Sequence, residues 1–409
     1  MNASRFLASL FLPLCLPWAL LHAAGDDWPQ WRGVERDGKS PETGLLRKWP
    51  DGGPPLAWKS DGLGEGYSTV SVSQGRIYTL GQRGDIEYVM AIEAASGKKL
   101  WETAAGGAYR ERRGDGPRGV PTVEAERLWA VTADGKLVCL ETKTGKLIWK
   151  ADFVSQYGGE VPHWGYSESP LIDGARVIVT PGGNGHSVVA LDKATGKLIW
   201  KSQSDGAAYS SVSLATVGAI RLYVVFTANG LMGLRADNGE LLWRYDKVSN
   251  RTANVATPLV SGNHVFVSSD YGTGCALLKL DASDGSVKAT EVYFSREMKN
   301  HHASSILVNG YLYGFNSSIL TAMKFDTGEV AWRDRSTGKG SVAYVDGHLV
   351  ALGENGVVAL VKIGTGSYQE ISRFSIELTG RPAWANPVIS NGNLFIRDQN
   401  TLYCYRLRP

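Results

Sequence analysis

Cysteine is scarce in this sequence, and charge of either sign is evenly spread. Of the 4 cysteines in 409 residues, Cys15 lies in an apolar N-terminal stretch, which leaves Cys139, Cys275 and Cys404. An odd number cannot form a complete set of disulfides within one chain, so we expect these three to be small buried apolar residues. The 43 basic and 40 acidic residues include no basic block, which excludes the charged surface typical of nucleic-acid-binding proteins.

Short catalytic motifs are also absent. The sequence has no Gly-x-Ser-x-Gly turn around a nucleophilic serine and no zinc-binding signature. Residues 110–117 combine charge with glycine but lack the Gly-Lys-Ser/Thr of a phosphate-binding loop, so they indicate a charged surface loop. These absences leave binding, and chemistry that needs no short motif, as the functions open to the chain.

The N-terminus has the order of regions found in a secretory signal peptide. Arg5 precedes an apolar run over residues 6–21, and small residues at 23–25 precede an acidic pair. Two prolines interrupt the run, which is short for a membrane-spanning helix, and no other segment reaches the roughly 18 apolar residues that such a helix needs. We expect residues 1–25 to be removed and the mature protein to be periplasmic or secreted, with no integral membrane segment.

Glycine and tryptophan are abundant, with 49 and 13 residues, and many of them belong to an internal repeat. Each copy is an apolar strand, a polar turn that ends in glycine, and a second strand that ends in tryptophan. Glycine accepts the positive φ of such hairpin turns. The clearest copies lie at 91–101, 139–149, 190–200, 233–243 and 322–332. A period of roughly 45 residues is typical of a propeller blade with four short strands.

Weaker copies and the two chain ends set the number of blades. Copies near 281–285 and 364–366 have Ala289 and Glu370 in place of the tryptophan, and Trp58 lies one repeat before Trp101. The C-terminus has three strands and no tryptophan strand after them. We therefore predict an all-β, eight-bladed β-propeller of four-stranded blades, in which the N-terminal strand closes the last blade; seven blades is the alternative. The predicted organisation is a signal peptide at 1–25, an N-terminal extension at 26–55 and the propeller at 56–409.

The repeat resembles the tryptophan-docking repeats of the pyrroloquinoline quinone (PQQ) repeat superfamily, which includes PQQ-dependent alcohol dehydrogenases and the BamB lipoproteins of outer-membrane assembly. Residues 27–33 (DWPQWRG), 62–67, 164–166 and 271–275 resemble an exported bacterial subgroup of PQQ-like propellers. For the dehydrogenases, the resemblance implies a calcium-bound quinone held between a tryptophan and a disulfide of adjacent cysteines, with an aspartate as general base. This chain has no adjacent cysteines and is shorter.

The side chains just before the innermost strand of each blade are the candidate binding residues, because they face one mouth of the central channel. Alternatively, they only satisfy loop backbone groups and solvate the funnel. They are polar or aromatic in most blades: Tyr67, Arg118, Tyr166, Glu168, Tyr209, Asn254, His301, His302, Lys339, Trp384 and Asn386.

Four of these candidates raise the question of a metal. Adjacent residues of a strand point to opposite faces, so we expect that His301 and His302 cannot both hold one ion, and that one of them carries a proton or contacts a ligand. Glu168 with Asn254 could hold calcium through oxygen atoms, although a salt bridge from Glu168 to Arg118 is the expected alternative.

Three functions remain open. The first is a BamB-like binding or scaffold protein of the cell envelope, acting as a monomer on an envelope protein partner or on a small-molecule or sugar ligand. The second is a PQQ-dependent oxidoreductase of alcohols or sugars, with PQQ and calcium as cofactors. The third is a carbohydrate-active enzyme, which would need two carboxylates at the mouth; Glu168 is the only clear one.

Overall fold

Eight four-stranded antiparallel sheets form the molecule. The computed structural model describes residues 26–364 and 366–409, so the predicted signal peptide lies outside the described residues. The innermost strands of several neighbouring blades contact one another. The prediction of an all-β propeller with eight blades, and not seven, is confirmed.

The first strand of the chain is β1 (Leu56–Ser60), and blades 1 to 4 follow it from the centre of the ring outwards. Blade 1 consists of β2 (Ser71–Ser73), β3 (Arg76–Arg83), β4 (Ile86–Glu93) and β5 (Lys99–Gly107). Blade 2 consists of β6 (Thr122–Glu124), β7 (Arg127–Val131), β8 (Lys136–Glu141) and β9 (Leu147–Asp152), followed by the short helix α1 (Phe153–Tyr157). Blade 3 consists of β10 (Leu171–Asp173), β11 (Arg176–Val179), β12 (Val188–Asp192) and β13 (Leu198–Ser202). Blade 4 consists of β14 (Ser213–Val217), β15 (Ile220–Phe226), β16 (Leu231–Arg235) and β17 (Leu241–Tyr245).

Blades 5 to 8 continue the same order. Blade 5 consists of β18 (Leu259–Ser261), β19 (His264–Ser269), β20 (Gly274–Ser283) and β21 (Ser286–Ser295). Blade 6 consists of β22 (Ile306–Val308), β23 (Tyr311–Asn316), β24 (Ile319–Lys324) and β25 (Val330–Asp334). Blade 7 consists of β26 (Gly340–Val345), β27 (His348–Gly353), β28 (Val357–Lys362) and β29 (Glu370–Ser375). Blade 8 begins with β30 (Val388–Ser390), β31 (Asn393–Asp398) and β32 (Thr401–Arg406).

The first strand closes the ring. β1 pairs antiparallel with β32 and supplies the outermost strand of blade 8, with Trp58 opposite Cys404. The predicted closure by the N-terminal strand is therefore confirmed. This arrangement joins the two ends of the propeller by a full set of backbone hydrogen bonds and leaves blade 8 without an open edge at that position.

Tryptophan side chains of the outermost strands pack against the next blade and form hydrogen bonds with it. The indole Nε1 of Trp101 donates to the carbonyl oxygen of Thr142 in the next blade, at 3.0 Å. The ring lies directly over Gly145, where an added Cβ would be 2.5 Å from it. Because Gly145 also has φ of +72°, the turn requires glycine for both its conformation and this close approach.

The two weaker repeat copies use other residues at the tryptophan position than the sequence suggested. In blade 5 the two outer strands, β20 and β21, are each ten residues long, and the bulge places Tyr293 opposite Leu277. The Tyr293 hydroxyl donates to the Phe325 carbonyl. Ala289 is therefore the wrong residue. In blade 7 the register places Ser372, not Glu370, at this position. Counting from the turn glycine failed because the length of the hairpin and the position of the bulge vary.

Two tryptophans provide a matched test of this blade docking. Nε1 of Trp200 donates to the Ala236 carbonyl at 3.2 Å, whereas the buried Nε1 of Trp243 has no partner among the described residues. We expect Trp200→Phe to lower the free energy of unfolding by about 1–2 kcal/mol through the lost hydrogen bond, and Trp243→Phe to cost less or to stabilise. Urea unfolding of both variants measures this; equal losses would contradict the docking role of the Nε1 contact.

The hydrophobic core lies mainly between adjacent blades. One cluster, for example, joins Leu80 and Val89 of blade 1 to Leu128 and Val138 of blade 2. The three cysteines of the described residues are free and buried in separate blades, as predicted. Over residues 26–364 and 366–409, no helix has the length and apolar character needed to cross a membrane.

Candidate functional site

A cavity lies at one mouth of the ring, among the loops that lead into the innermost strands. Its volume is about 130 Å³, which is room for several water molecules. Most of the predicted residues line it, namely Tyr67, Arg118, Tyr209, His301, His302, Trp384 and Asn386. The cavity is thus built from residues that precede the innermost strands of several blades.

The two histidines lie in the cavity wall together. His301 and His302 precede β22, which begins at Ile306. The alternation of a strand therefore does not apply to them, and the expectation that their side chains point to opposite faces is wrong. Both rings line the cavity, with centroids 5.7 Å apart. Burial lowers the pKa of His302 to about 3, so its imidazole is neutral at physiological pH.

Two predicted residues, Tyr166 and Asn254, lie outside the cavity lining and hold loops in place. The hydroxyl of Tyr166 donates to the Pro181 carbonyl at 2.8 Å. The side-chain amide of Asn254 donates to the Thr227 carbonyl at 2.9 Å, and its oxygen accepts from the Asn250 backbone at 3.0 Å. Their polar atoms are therefore engaged within the protein, and Asn254 offers no free oxygen for calcium.

Lys339 is also outside the lining, behind the cavity wall. Its Nζ lies 3.8 Å from Glu354, and the other carboxylate oxygen of Glu354 accepts from the Trp384 indole at 2.7 Å. Lys339 therefore acts on the cavity indirectly, through the carboxylate that fixes the orientation of Trp384.

Glu168 is buried below the cavity instead of facing it. One carboxylate oxygen accepts from the Thr180 backbone at 2.7 Å, and the other has no partner within the described residues. The expected salt bridge to Arg118 is not formed, because the Arg118 guanidinium donates to the carbonyls of Gly114 and Gly116. Arg36 is the nearby positive charge, and burial raises the pKa of Glu168 to about 7.

Glu168 should make stability depend on pH. Its folded pKa of about 7 lies above the unfolded value, so the folded protein holds the proton more tightly and stability falls as pH rises from about 4.5 to 7. We expect Glu168→Gln to remove this loss, on the order of 1–3 kcal/mol at pH 8. Urea unfolding of both proteins at pH 5 and pH 8 measures the difference. A wild-type to variant difference that does not change with pH would contradict the raised pKa.

A segment that sequence analysis had left as an extension closes the central channel. This axial segment, residues 28–40, pairs with Val72 of blade 1 through the Trp28 backbone and with Tyr344 of blade 7 through Ser40. Between these ends, Arg36 donates to the Ser169 carbonyl next to blade 3. The segment thus contacts innermost strands and loops on opposite sides of the ring, so the cavity is a cup and not a through-channel.

Trp31 of the axial segment forms the inner end of the cavity. Its indole Nε1 donates to the Thr257 hydroxyl at 2.9 Å, and both residues line the cavity. The sequence argument missed Trp31 because the axial segment has no strand pattern. Paired tryptophans in a short polar segment were the available signal. Other lining residues that it missed include Arg113, Trp164, Ser211, Tyr271 and Ser304.

The walls of the cavity are aromatic. Tyr67 and Trp384 lie with ring centroids 4.9 Å apart, and Trp164 and Tyr209 are 5.5 Å apart. The Arg118 guanidinium lies 5.4 Å from the centre of the Tyr67 ring, within the range of a cation–π contact. Rigid aromatic walls of this kind offer flat apolar faces to a ligand.

Several polar atoms of the wall have no hydrogen-bond partner among the residues that the structure describes. They are Trp164 Nε1, His301 Nδ1, both ring nitrogens of His302, and Asn386 Oδ1. Buried polar atoms in proteins are almost always satisfied by protein or by water. Several orphaned donors and acceptors around one cavity therefore indicate that water or a polar ligand completes them.

The charged side chains of the cavity lining are positive. Arg113 and Arg118 line the cavity, and none of the described residues that line it is an aspartate or glutamate. In the same described ranges, no group of three or more His, Cys, Asp or Glu is placed to hold a metal ion. The site that the fold defines is an aromatic, basic cup at the mouth of an eight-bladed propeller.

The sequence matches the model of a protein family described as "Outer membrane protein assembly factor BamB", over residues 52–137 and 85–334. The chain therefore belongs to this family of PQQ-repeat β-propellers. The match includes the strand that closes the ring and blades 1 to 6.

Curated relatives are distant and match only in part. An outer membrane protein assembly factor BamB from Burkholderia pseudomallei is 27% identical over 193 residues, which is 45% of this chain and 45% of that protein. A quinohemoprotein alcohol dehydrogenase ADH IIB from Pseudomonas putida is 27% identical over 262 residues, 61% of this chain and 31% of that protein. This chain thus spans less than half of either relative.

Solved structures share the fold. BamB from Moraxella catarrhalis has a TM-score of 0.62 at 15% identity and covers 86% of this chain and 99% of that chain. The quinohemoprotein alcohol dehydrogenase ADHIIG from Pseudomonas putida has a TM-score of 0.63 at 13% identity, covering 94% and 80%. Both a BamB and a dehydrogenase have this architecture, so the fold alone does not decide between binding and catalysis.

Proposed function

We propose that the chain is an exported binding protein of the cell envelope whose mouth cavity holds a small polar ligand. The observation that carries this proposal is the cup itself: aromatic walls, orphaned polar atoms such as those of His302 and Trp164, and a closed inner end at Trp31. A concave, mostly apolar site with a few convergent polar groups is typical of ligand binding.

The location in the envelope rests on two features of different kinds. The sequence of residues 1–25 predicts export, and the family and the Burkholderia relative are described as outer membrane protein assembly factors. We propose a BamB-like role for the propeller as a rigid scaffold that also contacts a protein partner. Cell fractionation with N-terminal sequencing tests export: a cleaved chain in the periplasm or medium is expected, and an uncleaved cytoplasmic chain would contradict it.

Calcium-bound PQQ fits the described residues poorly. The resemblance to the dehydrogenases implies a quinone held against a disulfide of adjacent cysteines, and calcium in proteins is bound by several oxygen ligands such as carboxylates. Here the cysteines are apart and buried in blades, and the cavity lining contains no carboxylate among the described residues. The carbohydrate-active alternative lacks its required pair of carboxylates for the same reason. The residues that line the cavity therefore favour a binding function over PQQ-dependent oxidation and over a carbohydrate-active enzyme.

Blocking the cavity tests the proposed function. Saturation-transfer NMR would be recorded on the purified protein with a panel of neutral sugars, sugar acids, aromatic acids, and PQQ with calcium chloride. We expect at least one class to bind the wild type and to lose binding in Val255→Trp, because Val255 lines the cavity and the larger ring fills it.

A matched control substitution distinguishes filling of the cavity from a general effect of a new tryptophan on the fold. Val292→Trp places the same ring on the outer strand β21, where Val292 is 45% exposed, and should bind as the wild type does. The proposed function fails if no member of the panel binds, or if Val255→Trp binds as well as Val292→Trp.

A further inference from the structure

The side chains of the cup specify a chemical class of ligand. We propose that the mouth cavity binds an acidic sugar: one hydroxylated six-membered ring that carries a carboxylate, such as a hexuronic acid. This inference rests on the proposed function, since it assumes that the cavity is a binding site. It adds the identity of the groups that the ligand must present.

The orphaned wall atoms require a ligand that both donates and accepts hydrogen bonds. Trp164 Nε1 only donates and Asn386 Oδ1 only accepts, while the neutral His302 ring offers one of each. A hydroxyl group donates one hydrogen bond and accepts others. A ring with several hydroxyls therefore satisfies this mixed set, whereas a flat acid with only acceptor oxygens leaves Asn386 and one nitrogen of His302 unpaired.

The aromatic walls suit the apolar C–H faces of such a sugar ring. A pyranose has apolar C–H faces and a polar edge. The half-buried rings of Trp384 and Trp164 line the cavity and offer surfaces against which C–H groups pack. The volume of about 130 Å³ restricts the ligand to a small molecule of about one sugar ring. This volume is below the range of about 300–1,000 Å³ that is typical of pockets for larger ligands.

The two arginines supply the position of the acidic group. Arg113 is exposed at the rim, and its guanidinium has no hydrogen bond or ion pair with any described residue. Arg118 contacts no carboxylate; burial lowers the pKa of its guanidinium, and Glu111 and Glu87 lie near enough to oppose this shift without pairing with it. Because no acidic side chain of the described lining opposes them, a ligand carboxylate would gain charge-assisted hydrogen bonds at Arg113.

Calorimetric titration of the purified exported protein tests the assignment. The probes are D-glucuronate, D-galacturonate, D-glucose and 4-hydroxybenzoate, each in low and high sodium chloride. We expect at least one uronate to bind about tenfold or more tightly than glucose, equivalent to 1.4 kcal/mol, and this preference to shrink at high salt.

Two variants assign the preference to Arg113. Arg113→Gln should weaken binding of the uronate about tenfold, and so remove its advantage over glucose. Arg112→Gln, at the neighbouring exposed position of the same loop and outside the lining, should behave as the wild type. An equal loss in both variants would show that the effect is general surface charge and would overturn the role of Arg113.

The other outcomes separate this inference from the function on which it rests. Equal affinity for glucose and both uronates would overturn the claim that the cavity recognises a carboxylate on the sugar. Binding of 4-hydroxybenzoate, or of PQQ with calcium chloride, without any sugar overturns the sugar ring but leaves a binding protein. Failure of every probe to bind, here and in the wider panel, overturns the proposed function itself.

Discussion

Replacing Arg397 by methionine is expected to lower the free energy of unfolding by about 3–5 kcal/mol. Arg397 lies on β31 of blade 8 and is 1% exposed. Its guanidinium donates across the blade junction to the Ser68 carbonyl at 2.8 Å and the Thr79 hydroxyl at 2.7 Å. It also donates to the Gly64 carbonyl at 3.1 Å.

The size of this effect follows from what the substitution leaves behind. Methionine fills a similar volume but donates nothing, so several buried acceptors of blade 1 lose their partner at once, each at a cost of about 1–3 kcal/mol, partly offset by removal of a buried charge. The exposed Arg406→Met on β32 is the control and should stay within about 0.5 kcal/mol of wild type. Urea unfolding measures the free energy of unfolding of both variants. Similar losses of stability in the two would contradict a role of Arg397 in ring closure.

Replacing Arg32 by methionine is expected to release the axial segment from the channel. Arg32 is 4% exposed and bridges this segment to blade 6, donating to the carbonyls of Ser304 and Ser305 at 3.1 and 2.7 Å. It also donates to the Asp37 carbonyl at 2.9 Å within the segment itself. Removing the guanidinium breaks the link to blade 6 and the internal turn together.

We expect a loss of about 2–4 kcal/mol of stability in Arg32→Met and faster proteolysis within residues 28–40, because a released segment becomes accessible to protease. Limited proteolysis followed by mass spectrometry locates the cuts. Arg47→Met, at an exposed position further along the same N-terminal region, should leave the digestion pattern unchanged. Protection equal to wild type in Arg32→Met would show that Arg32 does not hold the axial segment.

The number and closure of the blades could be predicted because they depend on local chemistry. Each turn glycine must adopt positive φ and receive a tryptophan ring, as Gly145 receives Trp101, so the pattern repeats visibly in the sequence. Trp58, a tryptophan strand without its hairpins, indicated the closing strand for the same reason. Tyr293 was missed because its position depends on hairpin length, which the spacing of glycines does not record.

The sequence indicated where a candidate site would lie, at the mouth of the channel, but not which side chains would line it. Tyr67, Tyr209 and Trp384, which were chosen because they precede innermost strands, line the cavity; their role in binding stays a prediction. Position before a strand could not give side-chain direction, because these residues lie in loops without a fixed alternation; Glu168 accordingly turns towards Thr180 and away from the mouth. Trp31 reaches the cavity only through long-range contacts of the axial segment, which no local pattern encodes.

A crystal structure of the protein soaked with its best-binding probe tests the central claim most directly. If the cup is the binding site, density for the ligand will lie between Trp31 and Trp384, with hydrogen bonds to the ring nitrogens of His302 and to Trp164 Nε1. Ligand density only on the outer strands of the blades, with the cup still filled by water, would contradict the account.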